Sequence, residues 1–365
     1  MKRFYSALLA LALLLPTLAS CKPDSGSTPD ESTAGTAALR PIETIVINDA
    51  CFRVDFDPGD MTLLSSSNTA KDNLLYLRAN TMEYTAEHPE GIRAEGFYTV
   101  SGETGEGEFL PIPYALPLRG KAEKQSIQQI ALSEHFTAVL EGSFWVDNSG
   151  RFPTSVKVEN LLTAYDADMN MLYSIDPEPL LERRTNPYTG REELAEDFHP
   201  SAMYCGENGT LYLVMEYSII AISSTGEKLY ETGEGIYIHN TWQTPDGRIL
   251  VEYSIPAEGK QIYAYLDDSV NGFSAPVTLP DPGLENYTLY FGDGWDYYFS
   301  TAEGVYGMNE EDSAPLLLFR WSSVGINPEK LVVFLAASEY LYYCRYKTAA
   351  GAETALLRRP SDAEI

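Results

Sequence analysis

The feature that most constrains this chain is a rhythm. From Ser201 to Arg359, short apolar runs rich in Tyr, Ile, Val and Leu alternate with glycine-bearing turns, four runs to a unit of about forty residues. One unit reads SAMYC, TLYLVME, YSIIAISS and KLYET, broken at Asn208-Gly209 and Thr225-Gly226. The next reads IYIHNTW, RILVEYSI, QIYAYLD and PVTL, with a turn at Pro245-Asp246-Gly247. A third holds NYTLYFG, WDYYFST, VYGMN and PLLLFRW, and the last holds LVVFLAA, YLYYCRYK and AETALLRR. Upstream, SIQQIALSE, FTAVLEGSFWV, NLLTAYDAD and NMLYSI form an earlier copy with a longer excursion near Gly150. Helical periodicity fails throughout, apart from a short turn expected over residues 191–198 (REELAEDF).

A lone four-stranded sheet cannot bury both faces, so repeats of this length close radially as blades. The expectation is an all-β fold, a β-propeller of about six four-stranded blades over residues 41–365, with residues 51–117 as one irregular blade. Seven or eight blades stay open because that region is poorly patterned, and a pair of elongated β-sandwiches is the competing fold. The last unit has only three strands. The first apolar segment of the body, residues 42–47 (IETIVI), is therefore expected to supply the missing outer strand and close the ring.

The N-terminus carries an address. Lys2 and Arg3 precede a nine-residue apolar run from Ala7 to Leu15, followed by Leu18-Ala19-Ser20-Cys21. That run spans about 13 Å as a helix, under half of a ~30 Å hydrocarbon core, so it reads as a secretory signal and not as a membrane span. Residues 18–21 resemble the lipobox of bacterial lipoproteins. The resemblance implies cleavage of residues 1–20, a diacylglycerol on the Cys21 sulfur and a second acyl group on its amine, the two-chain anchoring that stable attachment requires. Residues 22–40 (KPDSGSTPDESTAGTAALR) contain no aromatic residue and cannot offset their ordering entropy. With Cys21 they are expected to form a disordered tether of about 25 Å. The expected location is the outer face of a bacterial membrane.

Charge removes whole classes of partner. The formal net charge is −28, and cleavage of the leader would remove two cations and no acid. Such a chain is repelled by nucleic acid and by anionic lipid, so the expected membrane contact is the lipid at Cys21 alone. The acids are scattered among strands, as in a solvated surface. Cys51, Cys205 and Cys344 are isolated in sequence; they read as buried small hydrophobes, with one disulfide as the alternative.

Catalytic and metal motifs fail one by one. Asp166, Asp168 and Asn170 match the start of a calcium loop, but Met171 stands where Gly is needed and Pro177 where the bidentate Glu belongs, so the segment reads as a turn between the third and fourth strands of a blade. Residues 102–109 (GETGEGEF) have the glycines of a phosphate cradle but carry three acids and no Lys. The four histidines fit neither a zinc hydrolase nor an α/β-hydrolase pattern. No cofactor, metal or catalytic residue is assigned. Asp267-Asp268, or Asp293 with Asp296, could serve a glycosidase, and a glycan-acting propeller hydrolase or lyase is the alternative function. The remaining chemistry is aromatic. His239, Trp242, Trp295 and Trp321 lie near strand ends and are the candidate ligand contacts, where rings beside carboxylates suit sugars, peptides or cations.

The lipobox, the low-complexity tether, the Tyr-rich strands with N-G, D-G and T-G-E turns, and the closing LLRRPSDAEI are together similar to the propeller region that precedes a solute-binding domain in some lipoproteins of anaerobic Gram-positive gut bacteria. The resemblance implies a non-catalytic cell-surface binding role tied to ABC-type solute uptake, with a protein or a small solute or oligosaccharide as partner. The α/β module of those proteins would follow Ile365.

Overall fold

The computed structural model describes residues 51–360, apart from residues 55, 57, 65–66, 84–85, 87–88, 90–91, 103, 113–123, 134–135, 147–155, 186–189, 195–197, 207–208 and 233–234. Among the described residues, six antiparallel blades follow in chain order as a β-propeller, with a separate two-stranded sheet between blades 2 and 3. Blade 1 has an inner strand in two pieces, Thr62–Leu63 and Thr69–Lys71, followed by Leu74–Glu83, Ile92–Ser101 and Gly107–Ile112. Blade 2 comprises Lys124–Leu132, Phe136–Val146, Val156–Asp166 and Met171–Ile175. Blade 3 is Ala202–Cys205, Leu211–Val214, Ile219–Ile222 and Lys228–Thr232; blade 4 is Tyr237–Gln243, Ile249–Ile255, Lys260–Asp267 and Gly272–Phe273. Blade 5 runs Thr288–Gly292, Trp295–Ser300, Gly304–Met308 and Leu316–Arg320.

Blade 6 contributes Leu331–Ala336, Leu341–Thr348 and Gly351–Arg358, and its outer strand comes from the other end of the chain, where Phe52–Val54 pairs antiparallel with Leu356–Arg358. Closure by an N-terminal strand thus holds, but residues 42–47 are not the ones paired here; they lie outside the described residues. The paired segment carries little apolar burial of its own, Phe52 and Arg53 being exposed and Val54 half-buried. Arg53 fixes the strand instead, donating from Nε to the Val324 carbonyl at 2.8 Å and lying 5.5 Å from the Tyr346 ring centre.

Two other expectations change locally. Residues 192–194 form a strand and not a helical turn, paired with Arg183–Thr185 so that Arg184 faces Glu193 in a hairpin between blades 2 and 3. The fourth strand of blade 4 is Gly272–Phe273, with Val277 of PVTL adding a single bridge to Tyr263, because Pro276 and Pro280 deny that segment a continuous ladder. The turn at Asp166–Asn170 joins the third and fourth strands of blade 2 as expected, its Asp166 carboxylate accepting from the Asn170 backbone at 2.8 Å. Cys51, Cys205 and Cys344 are buried free thiols.

The ring is held at its seams. Phe97 and Ile112 of blade 1 meet Ile127 and Val139 of blade 2, and Leu140 and Leu162 of blade 2 meet Leu213 and Ile220 of blade 3. Tyr212 and Ala221 meet Ile249 and Val251 across the next seam, and Trp242 meets Phe291 at 5.9 Å between ring centres across the one after. Tyr298 and Phe319 of blade 5 pack on Phe334 and Tyr342 of blade 6, whose Tyr343 and Leu356 return to Leu75 and Leu77 of blade 1.

One seam carries an ion pair. Arg78 and Glu95 of blade 1 are 4% and 1% exposed, with 3.3 Å between Nη2 and Oε2. Arg78 also donates to the carbonyls of Ile127 and Gln128, where the inner strand of blade 2 loses register. Breaking such a pair strands a buried charge. We expect Arg78→Met to lower unfolding free energy by about 3–5 kcal/mol, and Arg78→Met with Glu95→Leu to recover part of that, both read from denaturant midpoints at constant m-value.

Candidate functional site

Strand direction defines the two ends of the central channel. Each blade is an antiparallel meander starting at its inner strand, so all six inner strands run the same way. We call the end where they begin the mouth and the end where they finish the floor. Turns between first and second strands therefore lie at the floor, and turns between second and third strands at the mouth.

The inner strands share an irregularity. In blades 2, 4 and 6, register slips by one residue, leaving Gln128, His239 and Val332 without a ladder partner. Each stands four residues before the last residue of its strand, so the three bulges sit at one height on alternate blades. Bulges bend a strand and re-aim its side chain. At the same height blade 1 breaks into its two pieces at Ser67, a non-glycine residue with φ of 59°. The same count gives Ser201 in blade 3 and Thr288 in blade 5. Ser201, His239, Thr288 and Val332 are exposed, and so is Asn240 one step below. Lower on the same strands, Met203, Phe334 and Ala336 are buried.

Hydrogen bonds set this ring in place. The Ser67 hydroxyl donates to Gln129 Oε1 at 2.9 Å, and Gln129 Nε2 donates to the Ser201 carbonyl at 3.4 Å, so one amide spans blades 1 to 3. On blade 4, Asn240 Nδ2 donates to Glu252, which also accepts from Gln261 and from the Tyr263 hydroxyl. His239 Nε2 shares a 2.9 Å hydrogen bond with the Ser254 hydroxyl.

Beside His239 the mouth carries exposed aromatic surface. Tyr237 and His239 lie on one face of the strand with ring centres 4.9 Å apart. Tyr217, on the mouth turn of blade 3, meets Tyr237 edge to face at 5.8 Å. The Glu216 carbonyl accepts from the Ile238 backbone at 3.0 Å and brings that turn alongside. Tyr217 and Tyr237 are 46% and 36% exposed, which is high for rings able to stack on neighbours in a core.

The floor is built differently. Thr69 to Lys71 of blade 1 and Gln243 to Thr244 of blade 4 come from opposite sides of the ring, yet they line one cavity of about 20 Å³ with Gly292 and Asp293. That volume holds about one water molecule. We call the channel a funnel because inner-strand residues are exposed toward the mouth and converge at the floor. Gly294, with φ of +100°, is pressed so close to blade 6 that a Cβ would stand 2.4 Å from the Glu339 nitrogen.

A second concavity of about 470 Å³ lies at the floor side of blade 4, lined by Tyr212, Asp246, Arg248, Tyr265 and Asp268 among others. Its polar groups serve one another. Asp268 accepts from Thr210, Tyr212 and Tyr230 of blade 3 at 3.1, 2.9 and 2.6 Å, which ties blade 4 to blade 3. Arg248 lies 4.0 Å over the Tyr265 ring and pairs with Asp246. Burial alone would raise the Asp246 carboxyl, but hydrogen bonds from Thr244 and Arg248 outweigh it and hold the group below its ordinary range.

The four residues singled out in the sequence are not gathered. His239 is in the mouth. Trp242, three residues on, lies in the seam between blades 4 and 5. Trp295 starts the second strand of blade 5 at the floor and covers Gly307 so closely that a Cβ there would sit 2.5 Å from the indole. Trp321 is 1% exposed and donates its indole N–H to the Thr301 carbonyl at 3.0 Å. Cys21 lies outside the described residues. Tyr217, Tyr237, Asn240, Ser201 and Thr288 had not been singled out; the Tyr237-Ile238-His239 alternation was the available signal.

No family model matches this chain, and no curated protein sequence matches it. Among solved structures it is similar to an oligogalacturonate lyase in complex with manganese, with 10% identity, a TM-score of 0.39, and coverage of 85% of this chain and 90% of that one. An oligogalacturonate lyase from Vibrio parahaemolyticus gives 10% identity and a TM-score of 0.39, covering 83% of this chain and 91% of that one. The β-propeller domain of the Trilobed protease from Pyrococcus furiosus gives 8% identity and a TM-score of 0.32, covering 82% and 96%. These likenesses concern the fold alone, and no site residue is transferred from them.

The floor supplies a pH test. Burial raises the Asp293 carboxyl above its ordinary value of 3.8, and Asp72 adds to this, against the Asn73 N–H and Lys71. An acid raised in the folded state costs nothing below its unfolded pKa; the cost grows as pH rises past that value and is complete once pH has passed the folded value. Asp293→Asn keeps an acceptor for Asn73 and removes the charge. We expect it to raise the melting temperature at pH 7, with the gain disappearing by pH 3.

Proposed function

We propose that this protein is a lipid-anchored binding module of the bacterial cell surface that takes its ligand at the funnel mouth and serves solute capture beside an ABC-type importer. The observation that carries the reading is the exposed group of Tyr217, Tyr237 and His239 at the mouth end of a channel that is pinched at its floor. Exposed aromatic rings grouped on a surface are a recurrent mark of recognition. The anchor is the resemblance of residues 18–21 to a lipobox, and residues 22–40 would hold the propeller clear of the lipid.

Two measurements test this. The protein lacking residues 1–21 is screened by thermal shift against oligosaccharides and short peptides; a ligand present at 100 times its Kd stabilises the fold by about 2.7 kcal/mol. We expect a hit whose affinity falls about tenfold or more in Tyr237→Ala, while the unliganded melting temperature stays within a degree or two of wild type. A hit unaffected by that substitution removes the mouth from consideration. Separately, Cys21→Ser expressed in a bacterial host should lose labelling by radioactive palmitate and move from the detergent to the aqueous phase. Retention of label overturns Cys21 as the anchor.

A further inference from the structure

We infer that the mouth takes a neutral, hydroxyl-rich chain: an oligosaccharide without uronate or amino groups. The inference rests on the binding reading above and names its ligand class.

The first ground is what the funnel wall lacks. At bulge height the six inner strands carry Ser67, Gln128, Ser201, His239, Thr288 and Val332, and one step below they carry Asn68, Gln129, Ala202, Asn240, Leu289 and Val333. Gln128 reaches Asn160 on its own blade and Ala202, Leu289 and Val333 pack between blades, so the exposed wall is Ser201, His239, Asn240, Thr288 and Val332. None of these twelve described positions carries Asp, Glu, Lys or Arg, in a chain where those residues make up 21%. Exposure makes the absence informative, because Ser201, His239, Asn240 and Thr288 are open to solvent, where a charge costs little.

The second ground is what the wall offers. Hydroxyl and amide side chains both donate and accept, which matches ligand hydroxyls that do the same. Glu252, whose carboxylate accepts from Asn240 of the wall, is 5% exposed and also accepts from Gln261 and Tyr263. It therefore has little left for a ligand ammonium. Its effect is to orient the Asn240 amide, whose Nδ2 donates to it. The third ground is the platform. Tyr237 and Tyr217 offer apolar ring surface beside these polar groups, the pairing that suits a sugar ring, with C–H bonds on one face and hydroxyls at its edge. Anionic chains are disfavoured by the field of a body with net charge −28.

Titration calorimetry on the protein lacking residues 1–21 tests this with five probes: maltohexaose, cellohexaose, mannohexaose, a galacturonate hexamer and a lysine-containing hexapeptide. We expect saturable binding of at least one neutral hexasaccharide and none of the charged probes. Tyr237→Ala and Asn240→Ala should each weaken that binding about tenfold, with Thr288→Val as a milder wall variant whose fold is not in question. If the uronate or the lysine peptide binds instead, with the same dependence on Tyr237, the ligand class is overturned and the mouth stands as a binding site. The peptide would then point to Glu216 at the outer rim. If a neutral hexasaccharide binds with no dependence on Tyr237, Asn240 or Thr288, both readings fall. If no probe binds, the neutral-glycan class is overturned.

Discussion

Everything in this molecule follows from the need to bury both faces of each small sheet. A blade such as Leu211–Val214 with Ile219–Ile222 is apolar on both sides, every one of those eight residues being buried. No two-layer arrangement of six such sheets leaves all of them covered. A closed ring does, and each seam is filled by residues of two successive blades. Closure then becomes the vulnerable point, since one blade must be completed from the far end of the chain. Arg53 and the three-residue pairing of Phe52–Val54 do this with few contacts, reinforced by the burial of Cys51 in the same cluster as Trp321 and Phe334.

Inner strands cannot stay regular along their whole length and also leave room at one end. Six strands converging on an axis fill it with side chains, as Thr69, Gln243 and Gly292 do at the floor. The bulges at Gln128, His239 and Val332, and the break at Ser67, interrupt four of the six ladders at one height, where His239, Ser201 and Thr288 stand exposed above the constriction. Each bulge costs ladder hydrogen bonds. At Gln128 the cost is offset by Arg78, which takes up the carbonyls on either side of the slip, and that gives the buried Arg78 and Glu95 pair a purpose beyond stability.

The blade pattern was plain in the sequence because alternation and glycine turns are local signals; Gly226, Gly247 and Gly294 all adopt the positive φ that such turns demand. What escaped were features set by contacts distant in sequence. Phe52–Val54 has no strong pattern of its own and is a strand only because Leu356–Arg358 is there to receive it. Residues 192–194 lie in a segment with helical spacing, yet they pair with Arg183–Thr185. The site was less legible still. Tryptophan was a poor guide, because a large ring is as useful for sealing a seam, as Trp242 and Trp321 do, as for holding a ligand. The groups that meet at the mouth are common residues, Ser, Asn, Thr and Tyr, and only the shared height of the bulges makes them a set.

The two ends of the ring have consequently divided their work. Floor turns are short and committed: Asp268 clamps blade 4 to three hydroxyls of blade 3, Asp293 receives the Asn73 backbone across the ring, and Gly294 leaves no space for a side chain against blade 6. A group already bound to its neighbour has little to give a ligand without loosening a seam. At the mouth, the rings of Tyr217 and Tyr237 meet each other and stay exposed to solvent. Change there perturbs recognition with little effect on closure, and the rigid floor keeps the wall in register while it does. A propeller assembled this way can alter what it binds by substitution at exposed positions such as Tyr237, His239 and Thr288, with the seams and the floor left as they are.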